Sequence, residues 1–209
     1  IRAIVGKGWG QGPQHGKSLH TWFSHVPGLS VVTPSSPYEA KGLILSSIFS
    51  NFPSLIIESR PIYSMKEEVP SEPYFIDPTK AFVREEGSDI TLVCFGSSVY
   101  ETLEISKNLK KDNINSEVVD LRSLNPIDFE TIIKSVSKTK SLAVIENGWP
   151  NCSIASEVIS KSCEKIDLKS KPLKFTWPNS HIPTTYKLEK DFYLDQNEIY
   201  KKIKSLFNE

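Results

Sequence analysis

Apolar and polar positions along this chain follow two rhythms, and the rhythm changes near residue 60. In the first stretch, Ile1–Val5 predicts a short strand and Ser18–Ser24 a short helix closed by Pro27-Gly28. Leu29–Thr33 (LSVVT) is a β-branched run that predicts a second strand. Ser36 then stands as an N-cap, with Pro37 in the first turn and Glu39 three residues after the serine, the pattern of a capping box. Ala40, Leu43, Ile44, Ser47 and Ile48 follow at helical spacing and predict one apolar face. Asn51 to Pro53 ends this helix, and Ser54–Glu58 (SLIIE) predicts a buried strand. A strand, a helix and a strand on short connections imply a parallel pair with a right-handed crossover.

The pattern is lost over residues 61–80, where Pro61, Pro70, Pro73 and Pro78 deny the chain helix and sheet hydrogen bonds. This reads as an extended linker lying over the surface between two domains, 1–60 and 81–209. The second region alternates cleanly. Strands are predicted at Ile90–Gly96, Ser116–Leu121, Ser141–Glu146 and Pro172–Trp177. Helices are predicted at Val99–Lys111, Pro126–Ser137, Ser153–Ile166 and Gln196–Phe207. Such alternation predicts an α/β fold with a mostly parallel sheet covered on both faces.

Charge narrows the function. The 25 Lys and Arg balance 25 Asp and Glu, so there is no basic field to hold nucleic acid or an anionic membrane. Lys107, Lys110 and Lys111, and Lys201, Lys202 and Lys204, fall at helical spacing and read as solvated faces. No apolar run is long enough for a membrane helix, and no signal peptide is evident. Three cysteines without a Cys-x-x-Cys pair point to a reducing compartment; Cys94 and Cys163 are expected to be small buried hydrophobes. The chain starts on Ile rather than Met, and is expected to be processed or the later part of a longer polypeptide.

One segment promises chemistry. Residues 6–16, GKGWGQGPQHG, hold five of the ten glycines and include His15. Glycine lets a ligand or a neighbouring chain approach the backbone closely, and histidine gives and takes protons most easily near neutral pH. The loop has neither the Gly-Lys-Ser/Thr ending of a Walker loop nor Rossmann spacing. Taken alone, it is open to two readings, a functional strap around His15 or an ordinary turn.

Beyond the loop, residues 14–28 (QHGKSLHTWFSHVPG) resemble the corresponding loop and helix in the beta subunit of thiamine-diphosphate-dependent 2-oxoacid dehydrogenases. LSVVTPSSPYEAKGL (29–43), VREEGSDITLV (83–93), VVDLRSLNPID (118–128) and ENGWP (146–150) are similar to further blocks of that family, in the same order. The likeness is strongest to the pyruvate and branched-chain type, with the acetoin type nearby. It implies the C-terminal half of a thiamine-diphosphate pyrimidine-binding domain, followed by an α/β/α domain like the transketolase C-terminal domain.

The resemblance also implies a site. His15 matches the active-site histidine of the family, with Gly10, Gly12 and Gln14 positioning its loop and binding the cofactor. His25 is expected to be a helix C-cap or packing residue, His20 to lie at the surface and His181 in a loop. Main-chain carbonyls of Ser47, Ile48, Ser50 and Phe52 match a potassium site, with an ordinary helix end as the simpler alternative. Thiamine diphosphate would be shared with an alpha subunit that also holds Mg2+. Implied partners are that alpha subunit, a second beta subunit, the lipoyl acyltransferase E2 and a small 2-oxoacid. The implied setting is bacterial cytoplasm or an organelle matrix.

Two departures stand out. Gly16 replaces a serine after the histidine and is expected to loosen the loop. The family's early pyrimidine-domain half, with the glutamate that acts on the cofactor's N1' atom, is not matched; Glu39 reads as part of a capping box and Glu58 as a strand end. The chain alone is therefore expected not to activate the cofactor. Two alternatives to a catalytic part follow. One is a non-catalytic E2-docking module using Asp191, Asp195, Glu198 and residues 207–209; the other is a transketolase-like enzyme on sugar phosphates, since ESRPIYSMKEEV (58–69) differs from familiar dehydrogenases.

Overall fold

The computed structural model describes residues 1–7 and 10–207. Its first sheet is built from β1 (Arg2–Val5), β2 (Ser30–Val32) and β3 (Ser54–Ser59), all parallel, with β3 in the middle. Two short helices, α1 (Gly12–His15) and α2 (His20–Ser24), lie between β1 and β2, where one was predicted. The helix α3 (Pro37–Ile48) starts as expected: the Ser36 hydroxyl accepts from the Glu39 N–H at 3.3 Å. Leu43 on α3 packs with Val32, Ile56 and Ile76 over the outer face of the sheet. Ile48, expected on the apolar face, is 66% exposed because it sits in the last turn, beyond the reach of the sheet.

After a 3-10 turn at Arg60–Ile62, the connector up to residue 80 runs without further helix or strand and lies against α3. The Lys41 ammonium gathers the carbonyls of Pro70, Ser71 and Glu72. A Cβ on Gly42 would lie 2.6 Å from Ile76, so a glycine is needed where the linker presses on the helix. The Lys-Gly pair of the AKGL run is thus explained by linker attachment.

The second sheet has the order β4-β6-β5-β8-β9. These strands are β4 (Phe82–Glu85), β5 (Ile90–Cys94), β6 (Ser116–Asp120), β8 (Leu142–Ile145) and β9 (Leu173–Phe175), all parallel except the edge strand β4. Every residue of β5, β6 and β8 is buried, as expected for parallel strands covered on both faces. One cover consists of α4 (Ser98–Lys111) and α8 (Gln196–Lys204), which place Val99, Ile105, Leu109, Ile199 and Ile203 on Leu92 and Ile145. The other consists of α5 (Phe129–Thr139) and α6 (Ile154–Lys165). A further helix, α7 (Tyr186–Phe192), was not anticipated. Cys94 is sealed, and burial pushes its thiol well up. Cys163 is exposed, contrary to expectation, because it falls on the outer side of α6.

Two features weld the sheets together. The remaining strand, β7 (Ser123–Asn125), leaves the second sheet's sequence and pairs antiparallel with β2 in the first. One apolar core then runs across the boundary, with Val31, Leu55 and Ile57 joining Val93, Val119, Ile132 and Val158. Each such fully buried side chain contributes about 1.5–3 kcal/mol.

Beside this core lies a charged knot. The Glu39 carboxylate pairs with Arg84 and with Arg122, the latter at 2.6 Å. Asp120 pairs with Arg84 at 2.8 Å, and the Ser35 hydroxyl donates to Asp120 and Glu39, both at 2.7 Å. Burial would raise the Glu39 pKa, but Arg84 and Arg122 hold it below the usual carboxylate range. Burial, reinforced by Glu39, pushes Asp120 up to about 6 against the pull of Arg84. Glu39 caps a helix through its backbone and docks the second sheet through its side chain.

Candidate functional site

The glycine segment leaves the carboxyl end of β1, beside the carboxyl end of β3, where open parallel sheets place their ligands. Gly8 and Trp9 lie outside the described residues. Gly10 and Gly12 take left-handed φ values of 63° and 54°, which turn the strap sharply into α1. Pro13 in the first turn favours that short helix. His15 ends it, with its side chain exposed, and Gln14 is exposed beside it.

Residues from far along the chain hold this strap. The Gly10 N–H donates to the Glu189 carboxylate at 3.0 Å, and the Tyr193 hydroxyl donates to the same group at 3.1 Å. Arg60 donates to the Gln11 side-chain carbonyl at 2.6 Å. Lys7 pairs with Glu101, its ammonium 5.3 Å from the centre of the Tyr193 ring. A Cβ on Gly12 would sit 2.2 Å from the Thr184 hydroxyl, so the strap closes there only with glycine. Gly16 is also tightly seated: its N–H bonds the Gly12 carbonyl at 3.1 Å, and a Cβ would meet that oxygen at 2.8 Å. The missing side chain at position 16 therefore tightens the turn after His15 instead of loosening it. His15, Gly6, Lys7, Gln11, Arg60 and Glu189 line a small recess.

The other histidines divide. His25 is the C-cap of α2 and exposed, as expected, and His181 is an exposed loop residue. His20 was expected at the surface and is instead 2% exposed. The reason is a partner: its Nε2 lies 2.7 Å from the Glu146 carboxylate at the end of β8. A carboxylate ending the apolar run SLAVIE was the signal that a polar partner had to be buried nearby. Glu189, Thr184 and Arg60 left no such signal, because each is an ordinary polar residue within a loop or short helix.

Near the end of α3, the Ser50 hydroxyl donates to the carbonyls of Ser47 at 3.3 Å and Phe52 at 2.9 Å. Ser47 Oγ is buried without a hydrogen-bond partner. These residues line a cleft of about 270 Å³ shared with Gly28, Asn125 and Pro126. On the opposite side of the sheet's ends, Glu58 accepts from Arg2 at 2.8 Å and from the Tyr63 hydroxyl at 2.6 Å. The Arg2 hydrogen bond lowers the Glu58 pKa, while burial and the Glu58 bond push Tyr63 up to about 12. Glu58 is thus engaged within the sheet.

The acidic C-terminal face is partly used. Asp191 is exposed, Asp195 caps α8 through the N–H groups of Asn197 and Glu198, and Glu198 pairs with Lys201 at 2.8 Å. Phe207 is 37% exposed; Asn208 and Glu209 lie outside the described residues. No helix among the described residues is long and apolar enough to cross a membrane.

Comparison with known proteins gives the arrangement its relatives. The chain is 40% identical over 196 residues to the beta subunit of acetoin:2,6-dichlorophenolindophenol oxidoreductase from Bacillus subtilis (strain 168), covering 93% of this chain and 57% of that one. It is 37% identical over 186 residues to the pyruvate dehydrogenase E1 component subunit beta of the same organism, covering 88% and 57%. The chain thus spans little more than half the length of these curated relatives. Among solved structures, a split-gene transketolase described as an inactive beta4 tetramer superposes with a TM-score of 0.78 at 23% identity, covering 98% of this chain and 65% of that one. A transketolase from Campylobacter jejuni superposes at 0.70 and 19% identity, covering 98% and 31%. Both establish the fold. Residues 2–66 match the transketolase pyrimidine binding domain and residues 79–199 the transketolase C-terminal domain, so the chain belongs to the transketolase family, with beta subunits of acetoin and pyruvate dehydrogenases among its relatives.

Proposed function

We propose that this chain forms the histidine-bearing wall of a thiamine-diphosphate site in the beta subunit of a 2-oxoacid dehydrogenase. The observation that carries this reading is His15, exposed at the end of a glycine strap that the second domain clamps from outside. When bound, the cofactor supplies the carbanion chemistry. The recess beside His15 is too small for a whole cofactor, so the ligand would approach His15 from its exposed side. Gly10 and Gly12 turn the strap and Gln14 is exposed beside His15, and these three are assigned to cofactor binding, with the diphosphate and Mg2+ assigned to an alpha subunit. His15 holds or passes a proton through a ring nitrogen at the reacting end of the bound ligand.

The substrate is a 2-oxoacid such as pyruvate, with the acyl group passed to the lipoyl acyltransferase E2. The assembly is a heterotetramer of two alpha and two beta subunits. Three free thiols suit a reducing cytoplasm or organelle matrix. The pyruvate dehydrogenase relative at 37% identity favours this chemistry over sugar-phosphate transfer, because the transketolase likeness at 19–23% carries the fold alone. The test is His15→Ala in the full-length beta subunit assembled with its alpha partner. Turnover of 2-oxoacid should fall by about 100-fold or more, the range of general acid–base catalysis; unchanged turnover rejects the role.

A potassium ion at Ser47, Ile48, Ser50 and Phe52 belongs to the same proposal. Two carbonyls already converge on one hydroxyl there, and a buried oxygen lacks a partner. Hard cations take oxygen ligands, and the carboxyl end of a helix favours positive charge. The melting temperature should then rise in KCl over equal NaCl; equal values in both salts count against the ion.

A further inference from the structure

Ser18, His20 and Glu146 form a hydrogen-bonded line from the end of the strap into the second domain. Ser18 Oγ lies 2.8 Å from His20 Nδ1, and His20 Nε2 lies 2.7 Å from Glu146 Oε1. The line continues, because Glu146 Oε2 accepts the Ala155 N–H at 2.7 Å at the start of α6. All three side chains are buried. The Phe95 ring packs edge-on against the imidazole with centroids 5.1 Å apart. A Cβ on Gly148 would stand 2.8 Å from His20 Cε1, so the glycine of ENGWP makes room for the ring.

Proton directions follow from the acceptors. With Glu146 ionised and the ring neutral, Nε2 carries the proton toward the carboxylate and the Ser18 hydroxyl donates to Nδ1. A line of this kind can activate a hydroxyl as a nucleophile. Here the cavity over Ser18 leaves only about 20 Å³ for the centre of a water molecule. That is close to the minimum for a single water, and no acyl or phosphoryl substrate fits. The line is therefore a directional tether.

We propose that His20 is a positioning residue, which ties the exit of the His15 strap to the second domain through Glu146. Ser18 follows His15 by three residues, so the tether fixes the chain just after the histidine. Resting on the reading of His15 as the proton-handling group, this makes its placement depend on the docking of the two domains. Orientation of a catalytic group carries much of the rate in a positioned site, and small displacements are costly.

Hydrogen exchange and turnover test the two layers separately. In the full-length beta subunit, His20→Ala and the near-isosteric Glu146→Gln should speed amide exchange at residues 11–19 about tenfold, with β5 and β6 unchanged. His20→Gln, which keeps a donor toward Glu146, should restore part of the protection. Nitrogen-15 spectra should show His20 with its proton on Nε2 and slow to exchange. In the assembled full-length enzyme, Glu146→Gln should lower kcat about tenfold and leave KM for the 2-oxoacid within about twofold. Unchanged exchange at 11–19 in Glu146→Gln overturns the tether, whatever the turnover. Faster exchange with full turnover, together with unchanged turnover in His15→Ala, overturns the function of His15 and leaves the tether standing. Faster exchange with full turnover while His15→Ala is inactive overturns the positioning role itself.

Discussion

The charged knot around Glu39 and the glycine strap around His15 both join the first domain to the second, yet one is dry and the other wet. In the knot, Glu39 and Asp120 are wholly buried and every carboxylate faces an arginine. In the strap, the Gly10 N–H and the small Gly12 are gripped from outside while the His15 side chain stays in solvent. The contrast teaches that domain docking and site geometry draw on different forces. Removing half of a buried ion pair strands a charge, whereas loosening a strap releases backbone freedom at modest cost.

The largest effect should come from Glu39→Ala. It leaves Arg84 and Arg122 facing each other without their shared carboxylate and should destabilise the fold by about 3–5 kcal/mol in urea unfolding. A loss below about 1 kcal/mol would place the knot with ordinary surface pairs.

Next comes the pH dependence of Asp120. Its pKa is raised in the fold to about 6 from 3.8, so its contribution is greatest below the lower value and is lost as pH rises through the higher one. Glu39, held low, contributes above the ordinary carboxylate pKa and loses its share only as pH falls through its own depressed value. Between pH 7 and pH 5, wild type should gain about 1 kcal/mol relative to Asp120→Asn. A stability difference that is flat across that window would remove the raised pKa from the account.

Changes in the strap should also be small beside the loss of Glu39. Gly12→Ala combines a left-handed φ with a clash on Thr184, and should cost about 1–2 kcal/mol. Glu189→Gln keeps a side-chain carbonyl for the Gly10 N–H at a buried position; it should cost about 1 kcal/mol in unfolding and increase proteolytic cleavage of the strap. Should Glu189→Gln destabilise as much as Glu39→Ala, the division into dry and wet joints fails.

Much of this architecture was legible because the apolar runs are unmixed. ITLVC, SEVVD and LAVI lie in the centre of a parallel sheet, and Ser36 with Pro37 fixes the start of α3. The strand β7 was hidden, since SLN has three residues and gains its identity only from pairing with β2. His15 stands out through glycine content and motif, both local properties. His20 was misplaced because burial depended on Glu146, 126 residues away, and local pattern carries no such distance. The clasp at Glu189 was invisible for the same reason, being 179 residues from Gly10.

The strand β7 has a practical corollary. A protein cut within the proline-rich connector would not yield two sound halves. The piece ending near residue 80 would present β2 with a bare edge and leave Glu39 buried without either guanidinium. The later piece would carry Ser123–Asn125 with nowhere to hydrogen-bond, as an adhesive ribbon on its flank. The family boundary near residue 79 divides ancestry, and cooperative unfolding should ignore it.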